Sequence, residues 1–309
     1  MNRMKVILIL ISTLFSVLSF AQMSSGFYKT DVGVKIGAAN YLGEIGGKEK
    51  DRRNFIWDMK IPQTRASFSV FGRKRFHDYV AGSVGVNYNR IKGDDNLSTN
   101  VGRVGRNLRF RNDIIDLTLR AEGYFYKISD VGNKGRYYAS FDTYGHFGAT
   151  AFMSNPKGSL DGTSWKPLRP LKTEGVDYKK FGIGIPVGLG FYFTYKRKHR
   201  IGWDITWVTT FTDYLDDISD VYTTPENMNT PEAAEYANQS EAVTSGSHLG
   251  NYLPGQKRGD PTHNDSYMYT TLSYSYVLKG RYVGFASSSN NRGKRKRRRK
   301  VVRKERVKL

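Results

Sequence analysis

The stretch FGIGIPVGLGFYFTYK, residues 181–196, alternates strictly between large apolar side chains and small or polar ones. Its second face carries glycines, one proline, Tyr192 and Thr194. A period of two with one wholly apolar face is typical of a β-strand whose two sides meet different surroundings. The apolar face consists of Ile183, Ile185, Val187, Leu189, Phe191 and Phe193.

A second strand of the same kind follows after a turn at residues 196–199, with apolar side chains at Ile201, Trp203, Ile205 and Trp207. An alternation of about ten residues is long enough to cross a bilayer at a tilt, whereas strands of globular proteins average about five or six. The hairpin is therefore predicted to span an outer membrane, with its apolar face toward lipid. On this parity, a charge at Leu189 is expected to disrupt assembly far more than a serine at the inward-facing Gly188.

Similar alternation predicts six further strands, and the least regular of them, at 137–153, is assigned by elimination. The connections at 73–78, 127–136 and 196–199 are short, and those at 40–62, 91–108, 154–180 and 213–265 are long. The chain is predicted to be all-β, an eight-stranded antiparallel up-and-down transmembrane β-barrel with long outer loops and both termini in the periplasm. A soluble lipocalin-like barrel is the alternative, but its apolar side would face inward. The six additional strands are predicted at 32–38, 66–70, 80–88, 115–125, 137–153 and 266–278.

The first residues have the pattern of an export signal. Arg3 and Lys5 precede an apolar run at 6–17, and Ser19 and Ala21 are small. This predicts a signal peptide at 1–21, with a retained N-terminal anchor as the alternative. The barrel is then assigned to 22–281 and a disordered basic tail to 282–309. Because the sequence has no cysteine, disulfides and lipidation on cysteine are excluded.

The positive charge is concentrated in the tail. Residues 292–309 hold twelve Lys or Arg and the single acid Glu305, a net charge of +11 out of +21 for the whole chain. With no aromatic side chain to stack on bases, and with export predicted, nucleic acid is disfavoured as its partner. An acidic protein face or anionic lipid is favoured instead. The candidate partner-binding residues are Arg292, Lys294, Arg295, Lys296, Arg297, Arg298, Arg299 and Lys300.

Residues that could perform chemistry are few. Asp213, Asp216, Asp217 and Asp220 cluster in the longest connection, but their spacing lacks the glycine and terminal glutamate of an EF-hand loop. The five histidines have no paired spacing, and no nucleophile motif is present. We therefore predict no catalytic, cofactor or metal residues and no enzyme activity, while calcium binding by the loop carboxylates is left open.

Charged residues also occur on the inward face of the fourth strand. Asp116, Arg120 and Glu122 lie opposite Leu117 and Leu119 in the alternation. In a barrel too narrow for a free channel, they are expected to pair with each other and, across the lumen, with Asp204. A small channel and an outer-membrane enzyme remain alternatives to a packed interior.

Six phrases occur in order along residues 28–280: NYLGE (40–44), NPKG (155–158), TEG (173–175), IPVGLG (185–190), DYLDD (213–217) and RGD (258–260) followed by NDSY (264–267). Together they resemble the PorG family of the type IX secretion system. The resemblance implies a non-enzymatic outer-membrane barrel that binds the periplasmic PorK and PorN ring and is needed for protein export. The basic tail is not carried over from the family. The residues assigned as family motif are Asn40, Tyr41, Leu42, Gly43, Thr173, Glu174, Gly175, Asp213, Tyr214, Leu215, Asp216, Asp217, Arg258 and Gly259.

Overall fold

A computed structural model describes residues 30–45, 61–98, 100–132, 138–240 and 252–278. The predicted signal peptide at 1–21 and the predicted tail at 282–309 lie outside these described residues. Eight long strands carry the fold, and two short ones lie in the connection between β5 and β8. The strands are β1 Thr30–Leu42, β2 Arg65–His77, β3 Val80–Asp94, β4 Arg109–Ile128, β5 Ala139–Met153, β6 Pro156–Gly158, β7 Lys166–Pro167, β8 Phe181–Tyr195, β9 His199–Thr210 and β10 Ser266–Leu278.

The eight long strands close into a single antiparallel barrel. Each pairs with the next in chain order, β8 pairs with β5, and β1 closes the ring by pairing with β10 from Thr30↔Leu278 to Leu42↔Ser266. Closure leaves the barrel without an open edge, so each of the eight long strands is hydrogen-bonded to a neighbour on both sides. The predicted eight-stranded fold is confirmed.

The alternation places the apolar side chains on the outside of the barrel. On β8, Leu189 is 56% exposed and Val187 is 50% exposed, whereas Tyr192, on the inward face of the same strand, is 2% exposed. The same parity leaves Val34, Leu117 and their neighbours exposed on the other strands. An outward apolar belt around a polar interior is the arrangement of a transmembrane barrel and the opposite of a soluble one.

Connection lengths alternate as predicted. Two residues separate β2 from β3, three separate β8 from β9, and the β4–β5 connection is of intermediate length, while the connections at the other end are long. Exposed aromatic side chains surround the short-turn end, as in the aromatic girdle at a membrane surface. They include Phe76, Tyr79, Tyr126, Tyr138, Tyr195 and Tyr276.

The long connections contain more regular structure than the sequence predicted. Besides β6 and β7, the described parts of these connections hold α1 Val101–Arg106 and α2 Pro231–Ala237, together with four 3₁₀ turns. Asn100 caps α1 by accepting hydrogen bonds from the backbone amides of Gly102 (2.9 Å) and Arg103 (3.3 Å). The 3₁₀ turns are Ile61–Gln63, Asp95–Leu97, Arg169–Leu171 and Pro225–Asn227.

Among the described residues, no helix combines the length and the apolar character needed to cross a membrane.

Candidate functional site

The described residues of the four long connections pack together at one end of the barrel, and we call this unit the loop cap. They lie within 43–45 and 61–64 of the first connection and within 95–108, 154–180 and 211–265 of the other three. Leu215 and Ile218 are fully buried within it, in one apolar cluster with Ile45 and Leu108. A smaller cluster joins Leu168 to Tyr236 of α2. The first cluster continues into the barrel through strand residues such as Phe110 and Tyr267, so the connections form a folded layer that packs onto the barrel interior.

Arg258 is the central charged residue of the loop cap. Its guanidinium donates to Glu174 Oε1 (2.8 Å) and to the backbone oxygens of Asp217 (2.7 Å) and Ala237 (3.3 Å). Glu174 in turn accepts from the backbone amides of Ser219 (3.0 Å) and Asp220 (3.3 Å). One buried ion pair thus joins the β5–β8 connection to two distant parts of the β9–β10 connection.

A second buried arginine joins the remaining connections. Arg106, at the end of α1, binds both carboxylate oxygens of Asp95, at 2.8 and 3.1 Å. It also donates to the backbone oxygens of Glu44 (3.2 Å) and Arg258 (2.7 Å). Since a planar guanidinium offers five donors in a fixed geometry, a single side chain can bridge this many acceptors.

Asp216 and Asp217 follow each other at the centre of the loop cap and are both buried. Thr173 and Tyr178 each donate to the Asp217 carboxylate at 2.5 Å. Burial raises the pKa of Asp217 to about 6, although Arg258 opposes the shift. Burial likewise raises the pKa of Asp216 to about 7. A carboxylate held away from water favours its neutral form unless a positive charge compensates it.

A group of buried carboxylates lies where the loop cap meets the barrel. Glu44, Asp213 and Asp265 each place one carboxylate oxygen within 4.8 Å of the others. Asp265 accepts from Tyr41 Oη (2.5 Å) and from the Leu215 amide (2.9 Å). Burial and the negative charges of Asp216, Glu44 and Asp213 raise the pKa of Asp265 well above its usual range.

The structure brings the family-motif residues together. Beyond the contacts of Thr173, Glu174, Asp217 and Arg258, Asn40 accepts from Thr64 Oγ1 at 3.0 Å, Leu42 is buried, and Tyr214 stacks on Tyr178 with ring centroids 4.6 Å apart. The glycines among these residues occupy positions where a side chain would clash or where the backbone has a positive φ. A Cβ on Gly43 would lie 1.9 Å from Tyr41 Oη, one on Gly259 would lie 2.6 Å from Ser219 O, and Gly175 has φ of +74°.

The predicted lumen residues all lie inside the barrel. Besides one another, they contact further polar side chains of the lumen. Asp204 pairs with Lys35 and accepts from Thr271 (3.0 Å), and Arg120 Nη1 lies 4.0 Å from its carboxylate. Lys35 was missed, although it lies on the polar side of the β1 alternation with Asp31.

Glu122 and Asp116 are satisfied by other neighbours. Glu122 pairs with Arg73 at 2.8 Å. Asp116 accepts from Asn87 (2.5 Å), Asn89 (3.0 Å) and Tyr267 (3.2 Å), all uncharged groups. The lumen is therefore filled by hydrogen-bonded and paired side chains along its length.

The candidate tail residues, Arg292 and 294–300, lie outside the described residues. No known family model matches the chain. No curated protein matches it either.

Several solved structures resemble the fold. Ail, the attachment invasion locus protein of Yersinia pestis, solved with the heparin analogue sucrose octasulfate, is 10% identical, with a TM-score of 0.34 over 81% of this chain and 99% of its own. The N-terminal β-barrel domain of Pseudomonas aeruginosa OprF is 8% identical, with a TM-score of 0.34 over 82% and 99%. Neisserial surface protein A is 10% identical, with a TM-score of 0.31 over 82% and 98%. Similarities this low transfer no property to the chain, and its own strand pairing establishes the barrel.

Proposed function

We propose that this chain is an outer-membrane barrel that acts as a non-enzymatic component of type IX protein secretion. Its role is to hold a periplasmic ring of the PorK and PorN type at the membrane. The short turns and both termini face the periplasm in this proposal, and the loop cap faces outward. Bacterial outer-membrane barrels have this arrangement of short periplasmic turns and long outer loops.

The observation that carries the proposal is the convergence of the motif residues in the loop cap. Glu174 and Arg258 form a buried ion pair although 84 positions separate them. Tyr41 and Asp265, also from separate phrases, are joined by a 2.5 Å hydrogen bond. Five of the six phrases lie in the loop cap or at the strand ends that enter it, and the sixth, IPVGLG (185–190), lies within β8 of the barrel wall. This supports the family resemblance and, with it, the secretion role.

The filled lumen favours anchoring over transport through the barrel itself. Asp31, Lys35 and Asp204 are 0–6% exposed, and the ion pairs of Lys35 with Asp204 and of Asp31 with Arg200 join β1 to β9 over the inner face of β10. Small barrels of eight strands leave room only for side chains. We therefore expect purified protein in planar bilayers to give no stable single-channel conductance, and a steady conductance would favour the small-channel alternative.

The secretion role is tested by affinity purification of the tagged full-length protein from membranes of its own cells, followed by mass spectrometry. Ring proteins of the PorK and PorN type are expected to co-purify, and loss of the chain is expected to stop cargo export. A tagged unrelated eight-stranded barrel from the same membranes is the matched control. Equal recovery of ring proteins with both barrels, or none with either, would overturn the proposal.

A further inference from the structure

Charged side chains continue the outward face of β4 beyond its lipid-facing positions. The exposed apolar positions of this strand begin at Ile115 and end at Phe125. At about 3.4 Å per residue and a tilt of about 45°, they span a height of roughly 24 Å, close to the ~25 Å apolar band of outer-membrane barrels. Asp113, Arg111 and Arg109 follow on the same face toward the loop cap. These charged residues therefore lie at the height of the lipid headgroups.

Three successive rows of charged residues cross β3 and β4 at this height. In the first row, Arg90 is opposite Asp113 and binds its carboxylate through Nε at 2.5 Å. In the third row, Asp94 is opposite Arg109, whose Nε lies 3.5 Å from the Asp94 carboxylate. Each of these two rows therefore contains its own ion pair.

The row between them consists of positive charges alone. Lys92 is directly opposite Arg111, and Arg111 is directly opposite Lys157 of β6. The three side chains are half-buried, and we call them the cationic row. Residues directly opposite each other have Cβ atoms about 4.5–5.5 Å apart, so like charges in these positions destabilise a sheet. A row of three cations is therefore unfavourable unless an anion compensates it.

The described residues do not supply that anion. No ion pair or side-chain hydrogen bond joins Lys92, Arg111 or Lys157 to another described residue, and the carboxylates of the adjoining rows are bound to Arg90 and Arg109. Arg111 Nε is shielded from water and has no hydrogen-bond partner among these residues. A shielded donor of this kind is costly unless a ligand accepts a hydrogen bond from it.

Aromatic side chains accompany the cationic row. The ring centroid of Trp165 lies 4.9 Å from Arg111 Cζ and 5.8 Å from Lys92 Nζ. On the same outward face, nearer the apolar band, Tyr88 stacks on Phe68 with ring centroids 6.4 Å apart. Tryptophan and tyrosine are enriched at the headgroup level of membranes. The cationic row is therefore placed where the phosphates of lipids lie.

We propose that the cationic row, with Trp165 beside it, binds the phosphate of an outer-leaflet lipid. The planar guanidinium of Arg111 can donate to two phosphate oxygens, and the lysines on either side add positive charge. The acyl chains of the same lipid would then lie on the apolar wall that begins at Ile115. The site rests on the outward orientation of the loop cap and is independent of the secretion role.

The first test maps the site by lysine acetylation of the full-length wild-type protein in detergent micelles, with and without diphosphoryl lipid A. Peptide mass spectrometry then gives the acetylation rate of each lysine. We expect lipid A to slow the acetylation of Lys92 and Lys157 at least tenfold and to leave the exposed Lys179 unchanged. This readout is specific to each residue, so lipid held by the basic tail does not affect it.

Two further probes distinguish the source of the phosphate. Lipid A from which the phosphates have been removed is expected to give no protection, and inorganic phosphate alone is expected to give little. Equal protection by the dephosphorylated lipid would show that acyl chains alone cover the row. Equal protection by inorganic phosphate would show an adventitious ion only. Either result, or no protection of the wild type by lipid A, would overturn the proposal.

The second test compares Arg111→Gln with Arg197→Gln, which removes the same charge from the exposed turn at the other end of the barrel. The ratio of acetylation rates with and without lipid A is measured at Lys92 and Lys157 in each variant. We expect Arg111→Gln to abolish the protection, Arg111→Lys to keep part of it, and Arg197→Gln to leave it unchanged. Heat-modifiable migration checks that each variant forms the barrel. Full protection in Arg111→Gln, or equal loss in Arg197→Gln, would refute the site.

Discussion

At the scale of single residues, adjacent positions of a barrel strand face different environments, the lipid on one side and the barrel interior on the other. Leu189 faces lipid, paired in register with Gly145 and Ile205. A charge near the bilayer midplane costs about 2–4 kcal/mol on this face. Leu189→Arg is expected to reduce the folded fraction in heat-modifiable migration, whereas Leu189→Ala, which stays apolar, should assemble. Equal assembly of the two variants would contradict the lipid-facing position.

The neighbouring residue shows what alternation alone misses. Gly188 lies on the inward side as predicted, but a side chain added there would meet close neighbours and not open space. A Cβ there would lie 2.0 Å from Ile205 O and 2.7 Å from His146 Nε2. Parity can be predicted from the sequence because it follows from neighbours two positions apart. The space around Gly188 depends on the β9 backbone at Ile205 and on the His146 side chain, which are remote from it in sequence.

Arg258 is the residue on which the loop cap depends most. Replacing it by alanine leaves Glu174 and Asp217 buried without their cation, a loss that typically costs about 3–5 kcal/mol. We expect Arg258→Ala to open the cap to protease while the barrel keeps its heat-modifiable migration. Arg197→Ala, in the exposed turn at the other end, is the matched control. A cap as resistant in Arg258→Ala as in the control would show that the ion pair is dispensable.

At the scale of elements, the β8–β9 turn has an unusual sequence for its conformation. Lys198 N donates to Tyr195 O at 3.1 Å, and the two central residues, Lys196 and Arg197, have φ of +50° and +58°. This is a type I′ turn, which favours Asn-Gly because left-handed backbone costs other residues about 1–2 kcal/mol each. The sequence predicts the hairpin from its length and apolar faces but not this strain.

Replacing Lys196-Arg197 by Asn-Gly is therefore expected to stabilise the hairpin by roughly 1–2 kcal/mol. The midpoint of urea unfolding in detergent should rise. The double variant Lys196→Ala/Arg197→Ala removes the same charges without relieving the backbone, so its midpoint should stay near that of the wild type. A similar rise in both variants would assign the effect to charge.

At the scale of the whole molecule, the sequence predicts the barrel well and the loop cap poorly. Strand number, parity and the alternation of connections follow from local patterns in 181–217 and their repetition. The cap depends on contacts such as Arg106 with the backbone of Arg258, 152 positions apart. The clustering of Glu44, Asp213 and Asp265 likewise follows only once β1, β9 and β10 are known to be neighbours.

The orientation of the molecule can be tested with protease-cleavable tags. The sequence suggests insertion near Asn238, but Asn238 Nδ2 donates to Tyr252 O at 3.0 Å within the loop cap. Gly162 is exposed and better suited. We expect a tag at Gly162 to be cut on intact cells and one after Leu309 to be cut only when the outer membrane is breached. The reverse pattern would place the short turns and the tail outside.

The basic tail carries more than half of the net positive charge of the chain. Residues 292–309 carry a net +11 with no aromatic side chain to bury, and both termini of the barrel, Thr30 and Leu278, lie at its short-turn end. Attraction to an acidic partner face or to anionic headgroups would be screened over about 8 Å at physiological ionic strength. We therefore expect deletion of 292–309 to leave the barrel assembled but to weaken recovery of periplasmic partners, most visibly in high-salt washes.

The measurement is a co-purification across a salt series, with the full-length and truncated proteins tagged at the same outer position. A tail in which the twelve basic residues of 292–309 are replaced by glutamine is the matched control, because it keeps the length of the chain and removes the positive charge. If charge is the cause, the glutamine variant and the deletion should lose partners at the same salt concentration. If both retain partners as firmly as the wild type while their recovery with anionic vesicles falls, the tail binds lipid, and the ring is held by the barrel's short-turn end alone.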